Sequence, residues 1–228
     1  TYLFYQLAAG GLDPTEKKRM LVIFVLFIFS ALFWSGFEQA GSSLNLFAER
    51  LTDRDIFGWE MPASVLQSVN PILIIALAPV FAWLWVRLAR ANREPSAPTK
   101  FSLGLILLGL GFGVMVWAAM LTNNQTREVG PSWLILTYLL HTCGELCLSP
   151  VGLSTVTKLA PHRKVGQMMG IWFMSVSLGN LIAGLVAGRF ESLPLPQLFG
   201  AVFATTAGAG LILALFIKPI RNLMSGVK

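Results

Sequence analysis

The chain has 228 residues, of which 55% are hydrophobic and only 12% charged, with a mean hydropathy of +0.67. Soluble domains carry about 25% charged residues, so this composition excludes an ordinary soluble enzyme or binding module and places the chain in a bilayer. The net charge of +6 reflects basic clusters between apolar runs, which is a topology signal and needs no nucleic-acid partner.

The start Thr1-Tyr2-Leu3 lacks an initiator Met and no signal peptide precedes the first apolar run, so the sequence reads as a fragment. Residues 1–19 form a cytoplasmic connecting segment: Tyr2 to Ala9 read as the end of an interfacial or connecting helix, and Gly10-Gly11 with Asp13-Pro14 as a break before Lys17. Six apolar segments follow, at about Met20 to Phe47, Pro62 to Leu88, Phe101 to Thr122, Ser132 to Thr157, Val165 to Arg189 and Gln197 to Ile217. Each is near or above the roughly 20 residues a helix needs to cross about 30 Å of hydrocarbon.

Basic residues divide unequally between alternate connections. If the first helix starts in the cytoplasm, that side collects Lys17, Lys18, Arg19, Arg87, Arg90, Arg93, Lys100, Lys158, Arg163, Lys164, Lys218, Arg221 and Lys228. The other side has Arg50, Arg54, Arg127 and Arg189. The bias predicts that both ends of the segment are cytoplasmic.

Polarity is also divided among the helices. The third and sixth carry almost nothing polar beyond Ser or Thr, while the other four hold Glu38, Gln39, Asn45, Gln67, Asn70, His141, Glu145, Gln167 and Asn180. Four helices are therefore expected to face one another or something wet, and two to face lipid. The order wet, wet, dry, wet, wet, dry suggests two three-helix repeats, 20–122 and 123–228, as in one half of a major facilitator transporter. Gly109 and Gly113, Gly184 and Gly188, and Gly200, Ala204 and Gly208 have the four-residue spacing that lets membrane helices approach closely. Cys143 and Cys147 share a helix face, where packing is the expected role.

Glu38 and Glu145 are the acids that lie inside apolar stretches rather than at their ends. A charge at bilayer depth costs roughly 2.5–3.5 kcal/mol on insertion scales, so such groups are usually kept for an ion path or a substrate site. At 1.5 Å per residue, Glu145 is about 20 Å from both Pro131 and Lys158 along its helix. Asn70, Trp172 and Glu38 fall in the same middle band.

Three strings resemble the proton-dependent oligopeptide transporter family of the major facilitator superfamily. Phe33-Trp34-Ser35-Gly36-Phe37-Glu38-Gln39-Ala40-Gly41-Ser42-Ser43 is similar to its seventh helix. Pro79 to Trp85, then Pro95-Ser96 and Lys100-Phe101, is similar to the eighth helix and the connection after it. Gly144-Glu145-Leu146-Cys147-Leu148-Ser149-Pro150-Val151-Gly152-Leu153-Ser154, with Leu159-Ala160-Pro161 and Met168-Met169-Gly170-Ile171-Trp172-Phe173, is similar to helices ten and eleven.

The resemblance implies an all-α membrane protein whose six transmembrane helices, seven to twelve, form the C-terminal bundle of a major facilitator fold with a 3+3 inverted repeat. It implies a missing N-terminal six-helix bundle, which in the family carries an E-x-x-E-R motif and a Lys without counterpart here. It further implies proton-coupled symport of di- and tripeptides by alternating access in a bacterial cytoplasmic (inner) membrane. No cofactor is implied beyond the coupling proton, and no enzymatic activity.

Residue by residue, Glu145 matches an acid that meets the peptide's ammonium, which needs a buried counter-charge on leaving water. The competing reading is a packing carboxyl bonded to His141 one turn away. Asn70 matches an amide at the peptide's amino end or backbone, against a role as helix–helix glue. Trp172 and Trp34 would supply pocket walls, and Ser175, three residues after Trp172, a hydrogen bond; packing is the alternative. Glu38 would pair with a cation of the missing bundle and release it on protonation, against a static salt bridge. Glu49, with Arg50 and Asp53, falls where the family closes its outer gate with ion pairs, although surface charges often do nothing specific.

A relative carrying nitrate or another small anion on the same scaffold is the alternative, and it has less need of an acid at Glu145. A membrane-embedded enzyme using Glu38, Glu145 and His141 lacks a metal motif such as H-E-x-x-H.

Overall fold

The computed structural model describes residues 11–123 and 125–226; the Tyr2 to Ala9 segment lies outside the described residues. Among the described residues, six helical stretches are long and apolar enough to cross a membrane. The first begins earlier than its apolar run. A capping box starts α1 (Pro14–Phe37): Glu16 N donates to Asp13 Oδ1 at 2.7 Å and Asp13 N to Glu16 Oε2 at 3.1 Å, with Pro14 in the first turn.

Hydropathy predicts one continuous helix for this first span, but the structure breaks it. After Phe37 a 3-10 turn occupies Glu38–Gly41, and α2 runs Ser43–Leu51. The cause is local: Gly41-Ser42-Ser43 is poor in helix formers, and both serines bond backward, Ser42 Oγ to the Glu38 carbonyl and Ser43 Oγ to the Gln39 side chain. A small hairpin follows, β1 (Asp55–Ile56) paired with β2 (Trp59–Glu60). Its turn residues Phe57 and Gly58 have φ of 54° and 84°, as a tight hairpin turn requires. The second span divides into α3 (Ala63–Gln67) and α4 (Val69–Arg90). Then come α5 (Ala97–Leu121), α6 (Ser132–Leu159), α7 (Val165–Ala187), α8 (Leu195–Leu215) and the short α9 (Ile217–Leu223).

Helix pairing follows the expected symmetry. The main partner of α1 is α7, that of α4 is α6, and α5 lies along α8. If the first three spans exchange with the last three, α1–α7 becomes α6–α4 and α5–α8 maps onto itself, as in a three-plus-three inverted repeat.

The division into four interior and two lipid-facing helices needs correction. The third span, α5, contributes one of the richest sets of buried residues, including Phe101, Leu105, Leu108, Phe112 and Met115. The second, α4, has none. α5 is uniformly apolar, yet Gly104 and Gly109 let it sit against two neighbours at once. A Cβ on Gly104 would stand 2.8 Å from the Gly144 carbonyl oxygen of α6, and one on Gly109 2.8 Å from the Ala207 nitrogen of α8. Ser102 Oγ adds a bond to the Gly210 carbonyl at 2.8 Å. Without a hydrophobic drive between helices in lipid, close backbone approach and such bonds supply the packing energy. Leu103, Leu110, Trp117 and Met120 still project outward.

Not every small residue is a contact. Gly184 and Gly208 belong to the small-residue series expected at helix crossings, yet a Cβ added at either would meet nothing within 4 Å. Cys143 is half-buried and Cys147 buried, both without a disulfide. In the first turn of α5, Lys100 turns inward, 2.6 Å from Glu94 of the preceding connection and 4.5 Å above the Trp85 ring, at 6% exposure.

Candidate functional site

Asn70 lies in the first turn of α4 and Glu145 at the middle of α6, and the packing of these two helices brings the side chains together. Asn70 Nδ2 donates to Thr142 Oγ1 at 3.0 Å and to Glu145 Oε2 at 3.4 Å. Thr142 in turn donates to the Tyr138 carbonyl at 2.7 Å. Tyr138, Thr142 and Glu145 are spaced four and three apart, so they line one face of α6. Thr142 is the residue that sequence reasoning missed. Its signal was there, a hydroxyl three residues before a mid-span acid.

Glu38 opens the 3-10 turn and is half-buried. The residue before it, Phe37, meets His141, one turn before Glu145 on α6, with ring centroids 6.4 Å apart, so this end of α1 lies against the middle of α6. Neither acid forms an ion pair among the described residues, where the four pairs are Arg50–Glu191, Arg54–Glu60, Lys100–Glu94 and Arg163–Glu16. Trp34, one turn before Glu38, is also half-buried. Its ring packs edge-on against Phe33 and Phe37, with centroids 5.6 and 5.3 Å away, and its Nε1 makes no hydrogen bond among the described residues.

Trp172 and Ser175 are placed differently. Trp172 is 3% exposed, edge-on to Phe101 at 5.9 Å, with Gly152 leaving room for its outer ring. Ser175 is fully buried and spends its hydroxyl on Ser30 Oγ at 2.8 Å and the Trp172 carbonyl at 2.6 Å. In this conformation both belong to the packed interior between α7 and its neighbours, where neither can line an open wall.

His141 is not Glu145's partner. Its ring lies between Phe112 and Phe37, centroids 4.9 and 6.4 Å away, pressed against Gly111, and among the described residues its nitrogens make no well-formed hydrogen bond beyond a weak approach to the Leu108 backbone. Glu145 uses Asn70 instead. Glu49 is exposed at the end of α2, and its carbonyl accepts from Arg54 at 3.3 Å. Two ion pairs lie at this end: Arg54 to Glu60 at 2.6 Å, and Arg50 to Glu191 at 3.0 Å, which ties α2 to the turn after α7. Among the described residues no cluster of His, Cys, Asp and Glu could hold a metal ion.

Six apolar spans paired in this way, with unpaired carboxyls at mid-depth, define one bundle of a major facilitator transporter. The family model described as "PTR2: POT family" matches residues 5–200, and the chain belongs to that family of transporters. It is 44% identical over 231 residues to a peptide transporter of Yersinia enterocolitica, covering 100% of this chain and 45% of that protein. It is 31% identical to a di-/tripeptide transporter of Lactococcus lactis, covering 100% of this chain and 46% of the relative. A crystal structure of a peptide transporter of the family in complex with sulfate matches with a TM-score of 0.91 at 37% identity, covering 99% of this chain and 45% of the other. A glutamate-to-glutamine mutant of such a transporter, in complex with alafosfalin, matches with a TM-score of 0.88 at 37% identity, covering 99% and 46%. The chain therefore spans less than half the length of the relatives it matches.

Proposed function

We propose that this chain is the C-terminal half, helices seven to twelve, of a proton-coupled symporter of di- and tripeptides. An N-terminal bundle of similar size faces it, and the two rock about a central peptide site by alternating access. The observation that carries the reading is the Asn70–Thr142–Glu145 cluster at mid-span, with Glu38 half-buried at the end of α1, which meets α6 through Phe37 and His141. An ammonium entering there gains a carboxylate and an amide oxygen as acceptors, whereas an anion such as nitrate would be repelled.

Glu145 and Asn70 hold the amino end of the peptide, and Trp34 supplies an aromatic surface that tolerates many side chains. Glu38 takes the proton or pairs with a cation of the opposite bundle, and Glu49 contributes to the outer gate. Trp172 and Ser175 support the site from behind, through the α1–α7 packing. Residues 20–122 and 123–228 are the two repeats, both ends are cytoplasmic, and the membrane is the bacterial inner one, in keeping with the basic residues gathered on one side.

Uptake of a labelled dipeptide by the full-length protein in liposomes, with and without an inward proton gradient, tests this. Wild type should accumulate peptide only with the gradient. Glu145→Gln should lose most uptake by raising KM, and gradient-independent accumulation by the wild type would overturn the coupling.

A further inference from the structure

Gln39, the residue after Glu38, is 1% exposed, so no substrate reaches it. It is nevertheless the most heavily bonded side chain of the 3-10 turn. Its Nε2 donates to the Ser35 carbonyl at 3.2 Å and, across the helix interface, to the Ala183 carbonyl of α7 at 3.3 Å. Its Oε1 accepts from Ser43 Oγ at 2.5 Å. One side chain thus joins the end of α1, the start of α2 and α7.

The break explains the need. Where a helix passes into a 3-10 turn, its regular bonding to carbonyls four residues back ends, and carbonyls at the junction are open to a further donor. The Glu38 N–H bonds to the Gly36 and Trp34 carbonyls, and the Gln39 amide takes up the Ser35 carbonyl. Just below, Gly179 of α7 meets α1 backbone to backbone, since a Cβ there would stand 2.9 Å from the Ser35 nitrogen. The turn is therefore pinned from both ends against α7.

Successive side chains of a 3-10 turn point about 120° apart. With Gln39 fixed toward α7, Glu38 is directed to another side of the turn, at the level where Phe37 meets His141 of α6, and forms no ion pair among the described residues. We infer that Gln39 is a positioning residue: its amide locks the 3-10 turn to α7 and so sets where the Glu38 carboxyl stands relative to Glu145. This rests on the proton role proposed for Glu38, and it assigns the orientation of that group to a buried neighbour that touches neither proton nor peptide.

The test uses the full-length transporter in liposomes, measuring gradient-driven dipeptide uptake across pH and gradient-free dipeptide exchange. Gln39→Leu keeps the volume and removes all three bonds. It should lower driven uptake about tenfold, the scale of one or two lost hydrogen bonds, while exchange stays within about twofold. The pH of half-maximal uptake should move by about half a unit or more. Ser43→Ala removes one of the bonds and should move the same midpoint less, and it serves the test if the leucine variant does not fold. An unmoved pH midpoint in a folded variant, or uptake and exchange falling in equal proportion, overturns the inference. Glu38→Gln separates the two levels. If it leaves uptake gradient-driven, the proton role of Glu38 fails; if it abolishes the drive while Gln39→Leu keeps the wild-type pH midpoint, only the role of Gln39 fails.

Discussion

Asn70 reaches from the first turn of α4 to Glu145 at the centre of α6, with 3.4 Å between Nδ2 and Oε2, and shares the same nitrogen with Thr142 at 3.0 Å. It is a polar link between α4, a helix with no buried residue, and the rest of the bundle. The amide orients the acid and holds α4 in place at once. Asn70→Ala removes both bonds and should lower dipeptide uptake about tenfold, in keeping with the roughly 1.5–3 kcal/mol of a hydrogen bond to a charged group. Asn70→Asp sets a second carboxyl against Glu145 and should be worse than alanine, because like charges at this distance repel. Initial rates of uptake against peptide concentration check both; equal activity of the two variants would contradict the pairing.

Gly179 and Gly184 both lie in the apolar C-terminal half of α7, and the sequence treats them alike. The structure does not. A Cβ at Gly179 would overlap the Trp34 side chain and stand 2.9 Å from the Ser35 nitrogen, whereas at Gly184 it would meet nothing within 4 Å. Gly179→Ala should destabilise by about 1–3 kcal/mol through forced separation of α1 and α7, and Gly184→Ala should stay within about 0.5 kcal/mol of wild type. Thermal unfolding of the detergent-solubilised full-length protein distinguishes them.

Much of this was legible in the chain. The six spans follow from the length of apolar runs, and the mid-depth acids from their isolation within those runs. What escaped is set by contacts between helices. Hydropathy averages over a window and is blind to the Gly41-Ser42-Ser43 string that breaks the first span beside Glu38. Uniform apolarity made α5 look like a helix bathed in lipid, when its glycines bring it against α6 and α8. Trp172 and Ser175 lie at the right depth, but depth alone does not give the direction of a side chain around the helix, and both turn into the interior.

Arg50 and Glu191 form a contact of 3.0 Å between α2 and the turn after α7, with 47% and 76% of their side chains exposed. Water screens such a pair, so Arg50→Gln or Glu191→Gln should change stability by no more than about 0.5 kcal/mol and leave uptake intact. The effect should shrink further in high salt. Glu49 has no such partner among the described ion pairs; Glu49→Gln should therefore disturb transport more than stability if the opposite bundle supplies its cation. Parallel melting and uptake measurements on the three variants separate the two roles.

His141 tests whether a polar residue at mid-span is functional merely by being there. It is 1% exposed, sits between Phe37 and Phe112, and among the described residues its ring nitrogens make nothing better than a weak approach to the Leu108 backbone. Replacing a buried, unsatisfied polar group by an apolar one of similar size is close to neutral or stabilising, because the lost packing is small and a desolvation penalty is removed. His141→Leu should therefore match or exceed the thermal stability of the wild type to within about 1 kcal/mol and retain gradient-driven uptake. His141→Ala leaves a cavity beside Gly111 and should destabilise by about 2 kcal/mol or more. Loss of uptake in a stable His141→Leu protein would mean that the imidazole serves the proton path after all, and the pH profile of the leucine variant is the measurement that decides.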